Sequence, residues 1–291
     1  MRVLIFGATG MLGQALLPEA AARGLGIVTA GRGAADITCD IANGTAVGDA
    51  VRASHADIVL NAAAWTDVSA CETDPTLAYA VNARAVAFMA DACRETGARI
   101  VQISTDQFYA GDGDLAHTED ARVTWMASEY ARTKFAGEGY ALAAPGGLVL
   151  RTNITGLRGL AGSPTFIEWA FRTAEAGERF RLFDDYFTST IDTGAFAKAC
   201  LDLTEARAEG LLNVASREVS SKRDFVVAAV TALLGEMPDH DVASVRALGV
   251  ARADSAGLDV GRAEQALGYE LPGLDAVVTS LVDAWKKRSE P

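Results

Sequence analysis

The chain has 291 residues, 50% hydrophobic and 22% charged, enough for one large domain or a domain with a smaller partner around a sizeable core. Its formal net charge of −12 argues against nucleic-acid polymers and anionic membranes as partners, so an anionic substrate would need locally clustered arginines. No apolar run approaches a membrane span and the first residues already read as a core strand, so no signal peptide is expected and the setting is cytoplasmic.

Val3 to Phe6 is an unbroken apolar run, as in a parallel strand buried on both faces. Gly7, Gly10 and Gly13 follow, after which Met11, Leu12, Ala15 and Leu16 recur at helical period. A strand entering a glycine turn that opens a helix can seat a pyrophosphate on backbone N–H groups, where the helix dipole favours negative charge. Gly7 permits the tight turn, Gly10 the close approach of the phosphates, and Gly13 close helix–strand packing. The plain alternative is a strand–helix turn without ligand. Residues 26–30 read as the second strand, followed by Gly31-Arg32. A dinucleotide fold that prefers NAD usually has an acid here for the ribose 2′-hydroxyl, whereas Arg32 suits a 2′-phosphate and so NADP. The competing reading is a solvated surface arginine.

Within the polar stretch 36–43, Asp40 either caps the next helix or faces an adenine edge. Residues 56–64 form a buried strand running into small side chains, beside which a flat cofactor can lie. Asp74-Pro75 starts a helix with apolar positions Leu77, Val81, Val86, Phe88 and Met89, which runs to about Thr96 and stops at Gly97. The strand 99–104 ends in Ser104-Thr105-Asp106, at the sheet edge where open α/β folds bind ligands. Residues 107–126 lack periodicity and read as a loop with access to the site. The helix 128–143 places Tyr130 and Lys134 four apart on one face, and the strand 148–150 leads into Arg151-Thr152-Asn153. This alternation predicts a doubly wound parallel sheet with helices on both faces. Beyond it the pattern loosens into helices at 165–176, 192–204, 221–234 and 274–287, with short strands at 181–183 and 210–214.

Thr105, Tyr130 and Lys134 form the candidate catalytic set. Reducing a ketone requires a hydride donor and a proton donor for the developing alkoxide. A tyrosine phenol is a weak acid at neutral pH unless a nearby cation lowers its pKa, and a lysine one helical turn later supplies that cation. Its ammonium would also hold ribose hydroxyls, while the Thr105 hydroxyl would bond the carbonyl oxygen. In isolation such a Tyr–Lys pair is an ordinary exposed helix face; the preceding glycine turn and Ser-Thr strand end favour the catalytic reading. The four cysteines, Cys39, Cys71, Cys93 and Cys200, are far apart and read as reduced thiols. The scatter of His55, His117 and His240 speaks against a histidine metal site or triad, and no metal is expected.

These blocks together resemble the extended short-chain dehydrogenase/reductase family, in its dTDP-4-dehydrorhamnose reductase branch. The resemblance covers nearly the whole chain: GATGMLG from Gly7, VLNAAAWTDVSACETDP from Val59, VNA from Val81, ISTD from Ile103 and SEYARTKFAGE from Ser128. It continues through LRTN from Leu150, LLNVASREVSSKRDF from Leu211 and RADSAGLDV from Arg252. The resemblance implies a Rossmann-type NADP-binding domain over 1–150, onto which part of 181–215 packs back, and a mainly substrate-binding α+β lobe over 151–291. It implies NADPH as cofactor and a nucleotide-linked 4-keto-6-deoxy sugar as substrate, and leaves a homodimer open. By motif position Thr105, Tyr130 and Lys134 take the catalytic roles, Gly10, Met11 and Leu12 the phosphate loop, and Asp40 and Ile41 the adenine contact. Ala63, Ala64 and Trp65 match the segment beside the cofactor. On the substrate side stand Thr105, Asp106, Asn153, Ile154 and Arg252, with Arg158 and Arg252 expected at the diphosphate.

Three departures fall on the sugar side. The family's Tyr-Val-Phe after STD is Gln107-Phe108-Tyr109, its Arg-Thr-Ser-Trp is Arg151-Thr152-Asn153-Ile154, and its proline-rich approach to the tyrosine is Val123-Thr124-Trp125-Met126. Two other readings stay open: a non-catalytic NADP-binding regulatory subunit, and an epimerase or dehydratase, for which Asp106 beside Thr105 would be the acid.

Overall fold

The computed structural model describes residues 1–158 and 164–288. In chain order the elements of the first part are β1 (Arg2–Phe6), α1 (Met11–Ala22), β2 (Gly26–Gly31), β3 (Ile37–Thr38), α2 (Gly44–Ser54) and β4 (Ile58–Asn61). There follow α3 (Val68–Thr73), α4 (Pro75–Tyr79), a π-turn over Ala80–Arg84, α5 (Ala85–Thr96), β5 (Arg99–Ile103), α6 (Glu129–Leu142) and β6 (Leu148–Arg151). The rest comprises β7 (Asn153–Thr155), α7 (Phe166–Glu175), β8 (Phe180–Phe183), β9 (Phe187–Thr188), β10 (Thr190–Asp192), α8 (Thr193–Glu205) and β11 (Gly210–Asn213). Last come β12 (Ser220–Ser221), α9 (Lys222–Leu234), β13 (His240–Ala243), β14 (Ser255–Ala256), α10 (Gly261–Leu267) and α11 (Leu274–Arg288).

These elements form two compact units. Among the described residues, the first holds 1–105, 126–151 and 197–212, and the second holds 106–125, 152–158, 164–196 and 213–288. The first unit is built on a seven-stranded sheet of order β11-β6-β5-β4-β1-β2-β3. Its β1–β2, β1–β4, β2–β3, β4–β5 and β5–β6 pairs are all parallel. This is the Rossmann-type order, which reverses direction between β1 and β4. Parallel strands covered on both faces must be apolar throughout, and the side chains of Val3 to Phe6, Ile58 to Leu60 and Leu148 to Leu150 are all buried. Val47, Val51, Val86, Met89 and Cys93 pack against the sheet from α2 and α5.

The helix expected from residue 74 begins as predicted: Asp74 accepts from Leu77 N at 2.9 Å and Pro75 occupies the first turn. It is not one continuous α-helix, however, because the π-turn interrupts it before Gly97 closes α5 at φ 78°. Leu77, read as a core position, is exposed at 42%. Asp40 does not cap α2; Asn43 does, accepting from Ala46 N at 3.2 Å.

The second unit contains the parallel pair β10–β7, the sheet β12-β9-β14 and the parallel pair β13–β8. Its core brings Phe171 of α7, Phe225 and Val230 of α9, and Leu281 and Trp285 of α11 together with Phe180 and Leu182 of β8. Residues 107–125 carry no helix, as expected of a loop, yet Phe108 and Tyr109 are buried and Tyr109 stacks on His117 with centroids 3.9 Å apart. All four cysteines are free and buried. Among the described residues no helix is long and apolar enough to cross a membrane.

Candidate active site

A groove of about 580 Å³ lies at the carboxyl ends of β1, β2 and β4, within the size range of cofactor sites. It gathers Gly7, Gly10, Arg32, Asp40, Ile41, Ala63, Ala64 and Trp65 from the expected cofactor set, and adds Thr9, Cys39, Leu77 and Val81. Gly7 sits at φ 84°, and a Cβ there would lie 2.7 Å from Ala63 N. A Cβ on Gly13 would come within 2.3 Å of Gly7 O, so Gly13 fixes how tightly α1 seats on β1. Met11 and Leu12 start α1 beside the groove rather than among its lining residues. Helix N-termini leave their first N–H groups without intrahelical partners, and no side chain caps this one at Gly10. Uncapped donors, glycines without room for a side chain and a groove lined by alanines fit a dinucleotide phosphate.

Two charged groups define the far end of the groove. Arg32 is exposed and makes no hydrogen bond or ion pair among the described residues. Asp40 accepts from Ala42 N at 3.0 Å and stays on the groove wall. Asp36, the other acid after β2, is tied to Thr29 through the amide (2.9 Å) and hydroxyl (2.8 Å) and does not line the groove.

The candidate catalytic residues lie at the carboxyl end of β5 and on α6. Ser128 caps α6, accepting from Ala131 N at 3.2 Å. Thr105 is buried and Tyr130 half-buried. Lys134 is buried and donates to the main-chain oxygen of Ile103 at 2.6 Å. Burial pushes its ammonium down to about 8, while Glu138 pulls the other way.

Sequence reasoning missed three residues that hold this arrangement. Glu138 accepts from Ser104 Oγ at 2.6 Å and from Arg151 through Nε at 2.9 Å and Nη2 at 2.8 Å. Both partners of this ion pair are buried, so it braces the ends of β5 and β6 against α6. Its signal was present: Tyr130, Lys134 and Glu138 share one helix face at four-residue intervals. Asn82, in the π-turn, accepts from Trp65 N at 2.8 Å and donates to Trp65 O at 3.0 Å and Thr133 Oγ1 at 3.3 Å. It thereby ties the groove wall to α6, and the π-turn gives its side chain that reach. Nothing in the helical periodicity marks it.

In the second unit Asn153 Nδ2 donates to Asp106 Oδ2 at 2.7 Å, while Gln107 Nε2 donates to Asp106 Oδ1 at 2.9 Å. Burial raises the Asp106 pKa above the usual carboxylate range, against these hydrogen bonds. Ile154 is half-buried on β7, paired with Ile191 of β10. Arg252 is half-buried and makes no hydrogen bond or ion pair among the described residues, and Arg158 is exposed. The hydrogen bonds around Asp106 thus join two of the expected substrate residues and leave the arginines outside. Among the described residues no group of three His, Cys, Asp or Glu side chains is placed to hold a metal.

The family described as RmlD substrate binding domain matches residues 1–286. A dTDP-4-dehydrorhamnose reductase of Streptomyces griseus is 38% identical over 186 residues, 63% of this chain and 59% of that protein's length. One from Mycobacterium tuberculosis is 34% identical over 226 residues, 76% of this chain and 72% of that protein. The solved dTDP-4-dehydrorhamnose reductase of Bacillus anthracis in complex with NADP superposes with a TM-score of 0.85 over 96% of this chain and 98% of that one. At 22% identity that likeness is one of fold.

Proposed function

The chain belongs to the RmlD substrate-binding-domain family of extended short-chain dehydrogenase/reductases, and on that premise we propose that it is an NADPH-dependent reductase of a nucleotide-linked 4-keto-6-deoxy sugar. In this reading the first unit binds NADPH and the second binds the sugar nucleotide. The observation that carries it is Lys134, a buried ammonium one helical turn from Tyr130 and fixed to the last residue of β5, two residues before Thr105. A cation kept in a low-dielectric site at a cost in desolvation is characteristic of a functional group. The naming of the Mycobacterium and Streptomyces relatives as dTDP-4-dehydrorhamnose reductases supports the choice of substrate.

The groove at Gly7, Gly10 and the start of α1 holds the pyrophosphate, with Ala63, Ala64 and Trp65 along the cofactor and Asp40 and Ile41 at the adenine. Arg32 meets the 2′-phosphate. When bound, the reduced nicotinamide supplies the hydride. Thr105 donates a hydrogen bond to the sugar carbonyl, and Tyr130 gives its phenolic proton to the oxygen as it gains charge. Lys134 favours the phenolate left behind and holds ribose hydroxyls. Arg252 offers its guanidinium to the substrate diphosphate.

The test is to incubate the protein with NADPH and a panel of dTDP-linked and other nucleotide-linked keto sugars and to follow loss of NADPH. Oxidation that requires the keto sugar supports the reading. In Tyr130→Phe the turnover should fall about 10²–10⁴-fold, the usual scale of general-acid catalysis, with NADPH affinity kept. NADPH binding without turnover of any keto sugar would replace this reading with the regulatory-subunit one.

A further inference from the structure

Lys222 has no role in the reaction described above, yet its position is costly. It is the first residue of α9, where Ser221 is the N-cap, so its positive charge opposes the helix dipole. Burial pushes its ammonium down to about 8, with Asp106 pulling the other way. The nitrogen lies over the rings of Phe166 (4.9 Å) and Tyr186 (5.6 Å). It reaches Asn153 Oδ1 and Thr190 Oγ1 only at 3.3 Å each. An ammonium carries three donors, so this one is half-buried and weakly satisfied. A methionine would pack against the same two rings without that cost, so folding alone does not call for the charge.

The surroundings point to a ligand. Asn153 links the cation to Asp106, donating to Oδ2 at 2.7 Å while its own oxygen accepts from Thr190 at 2.9 Å. Gln107 bridges Asp106 Oδ1 (2.9 Å) and the Tyr186 hydroxyl (2.8 Å). One cation, one carboxylate, two amides and two aromatic rings thus occupy one place in the second unit. That mixture of donors, acceptors and flat apolar faces is what a sugar ring requires. It begins at Asp106, the residue after Thr105. A cation paired with one carboxylate suits a neutral polyhydroxyl ring better than a second anion.

We propose that Lys222, with Asp106 and Asn153, is the subsite that reads the sugar ring, Lys222 donating to a ring substituent and Asp106 accepting from a hydroxyl. This deepens the nucleotide-sugar reading and rests on it.

The test is titration of the NADP-loaded protein with dTDP-glucose and with dTDP, comparing wild type, Lys222→Met and Lys222→Arg, alongside NADPH affinity and melting temperature. Wild type should bind dTDP-glucose more tightly than dTDP. Lys222→Met should remove that gain, about tenfold or more for a charged hydrogen bond, while dTDP and NADPH affinities hold. Its melting temperature should stay or rise, as when a costly functional residue is removed. Lys222→Arg should recover part of the gain. A Lys222→Met protein that keeps the full gain, or melts lower while keeping it, overturns the proposal. If no keto sugar is reduced but the gain is present and depends on Lys222, the reductase reading fails and the subsite stands. Reduction of a keto sugar with no Lys222-dependent gain leaves the reductase standing and removes the subsite.

Discussion

Lys134 donates from Nζ to the main-chain oxygen of Ile103 at 2.6 Å, and Ile103 stands two residues before Thr105. The lysine is therefore fixed to the last residue of β5, just before Thr105. Its burial lowers its pKa to about 8, which gives the reaction a pH dependence of definite sign. Below about 8 the ammonium is charged and favours the Tyr130 phenolate; above it the cation is lost. The value of kcat/KM should be level below that point and fall about tenfold per pH unit above it, since this parameter reports groups of the free enzyme. Lys134→Arg, whose guanidinium keeps its charge, should be slower throughout but lose the fall. A wild-type profile that stays level up to the ordinary lysine range, about 10.4, would mean that burial does not lower the ammonium, and a fall that persists in Lys134→Arg would assign it to another group.

Glu138→Gln should destabilise the first unit strongly. The substitution removes the carboxylate that Arg151 meets at 2.8 Å in a buried ion pair, and breaking a buried pair by removing one partner costs about 3–5 kcal/mol. Glu95→Gln offers the contrast. Its bridge to Arg52 has side chains 61% and 49% exposed, and such pairs contribute about 0–1 kcal/mol. Urea unfolding of the two variants should separate them clearly. Similar small losses for both would mean that Glu138 does not hold β6 to α6.

The glycines of the first turn should divide by function. At Gly13 the added Cβ meets backbone at 2.3 Å and 2.5 Å, and backbone cannot yield. Gly13→Ala should lower stability by at least the roughly 1–3 kcal/mol typical of overpacking. At Gly10 the nearest atom to a Cβ is Gly7 O at 3.2 Å, a tight contact that a shift of a few tenths of an ångström would relieve. Gly10→Ala should melt closer to wild type than Gly13→Ala does but bind NADPH more weakly, because the methyl would occupy phosphate space. Melting curves and NADPH titrations on both variants check this; a Gly10→Ala protein with full NADPH affinity would place the phosphates elsewhere.

The reach of the sequence is set by how local each signal is. Val3 to Phe6, the glycine turn and the period of α1 are consecutive, so the β1–α1 unit could be read directly. Tyr130 and Lys134 are one helical turn apart and were equally legible. Strands of two or three residues, such as β7, β9, β10, β12 and β14, are too short to show a period of two. The π-turn at Ala80–Arg84 is invisible to a 3.6-residue period, and the contacts of Asn82 that accompany it are tertiary. Arg151 and Glu138 lie on separate elements, as do Asp106, Asn153 and Lys222, so only folding reveals that they meet. Leu77 follows the apolar pattern of its helix, yet it lines the groove instead of the core.

Arg252 should serve the substrate and not the cofactor. It is half-buried and makes no hydrogen bond or ion pair among the described residues, so its charge has no structural partner to lose. Arg252→Ala should raise KM for the keto sugar nucleotide about tenfold or more while NADPH affinity is kept, the scale of one charged hydrogen bond. An unchanged KM would move the diphosphate site to other residues.

Arg32 should decide between NADPH and NADH. It lines the groove, is exposed, and makes no hydrogen bond or ion pair among the described residues, while Asp36 is held away by Thr29. A 2′-phosphate beside Arg32 would gain a charge-assisted hydrogen bond of roughly 1.5–3 kcal/mol, equivalent to about tenfold or more in affinity. Arg32→Ala should lose that increment and leave NADH unaffected. Arg32→Asp should go further, because it adds repulsion toward the phosphate and supplies an acceptor for the 2′-hydroxyl of NADH. As the guanidinium is exposed, added salt should erode the wild-type preference and leave little to erode in Arg32→Ala. Cofactor titrations at low and high salt measure all three proteins. Equal NADPH affinity in wild type and Arg32→Asp would assign the 2′-phosphate to another group.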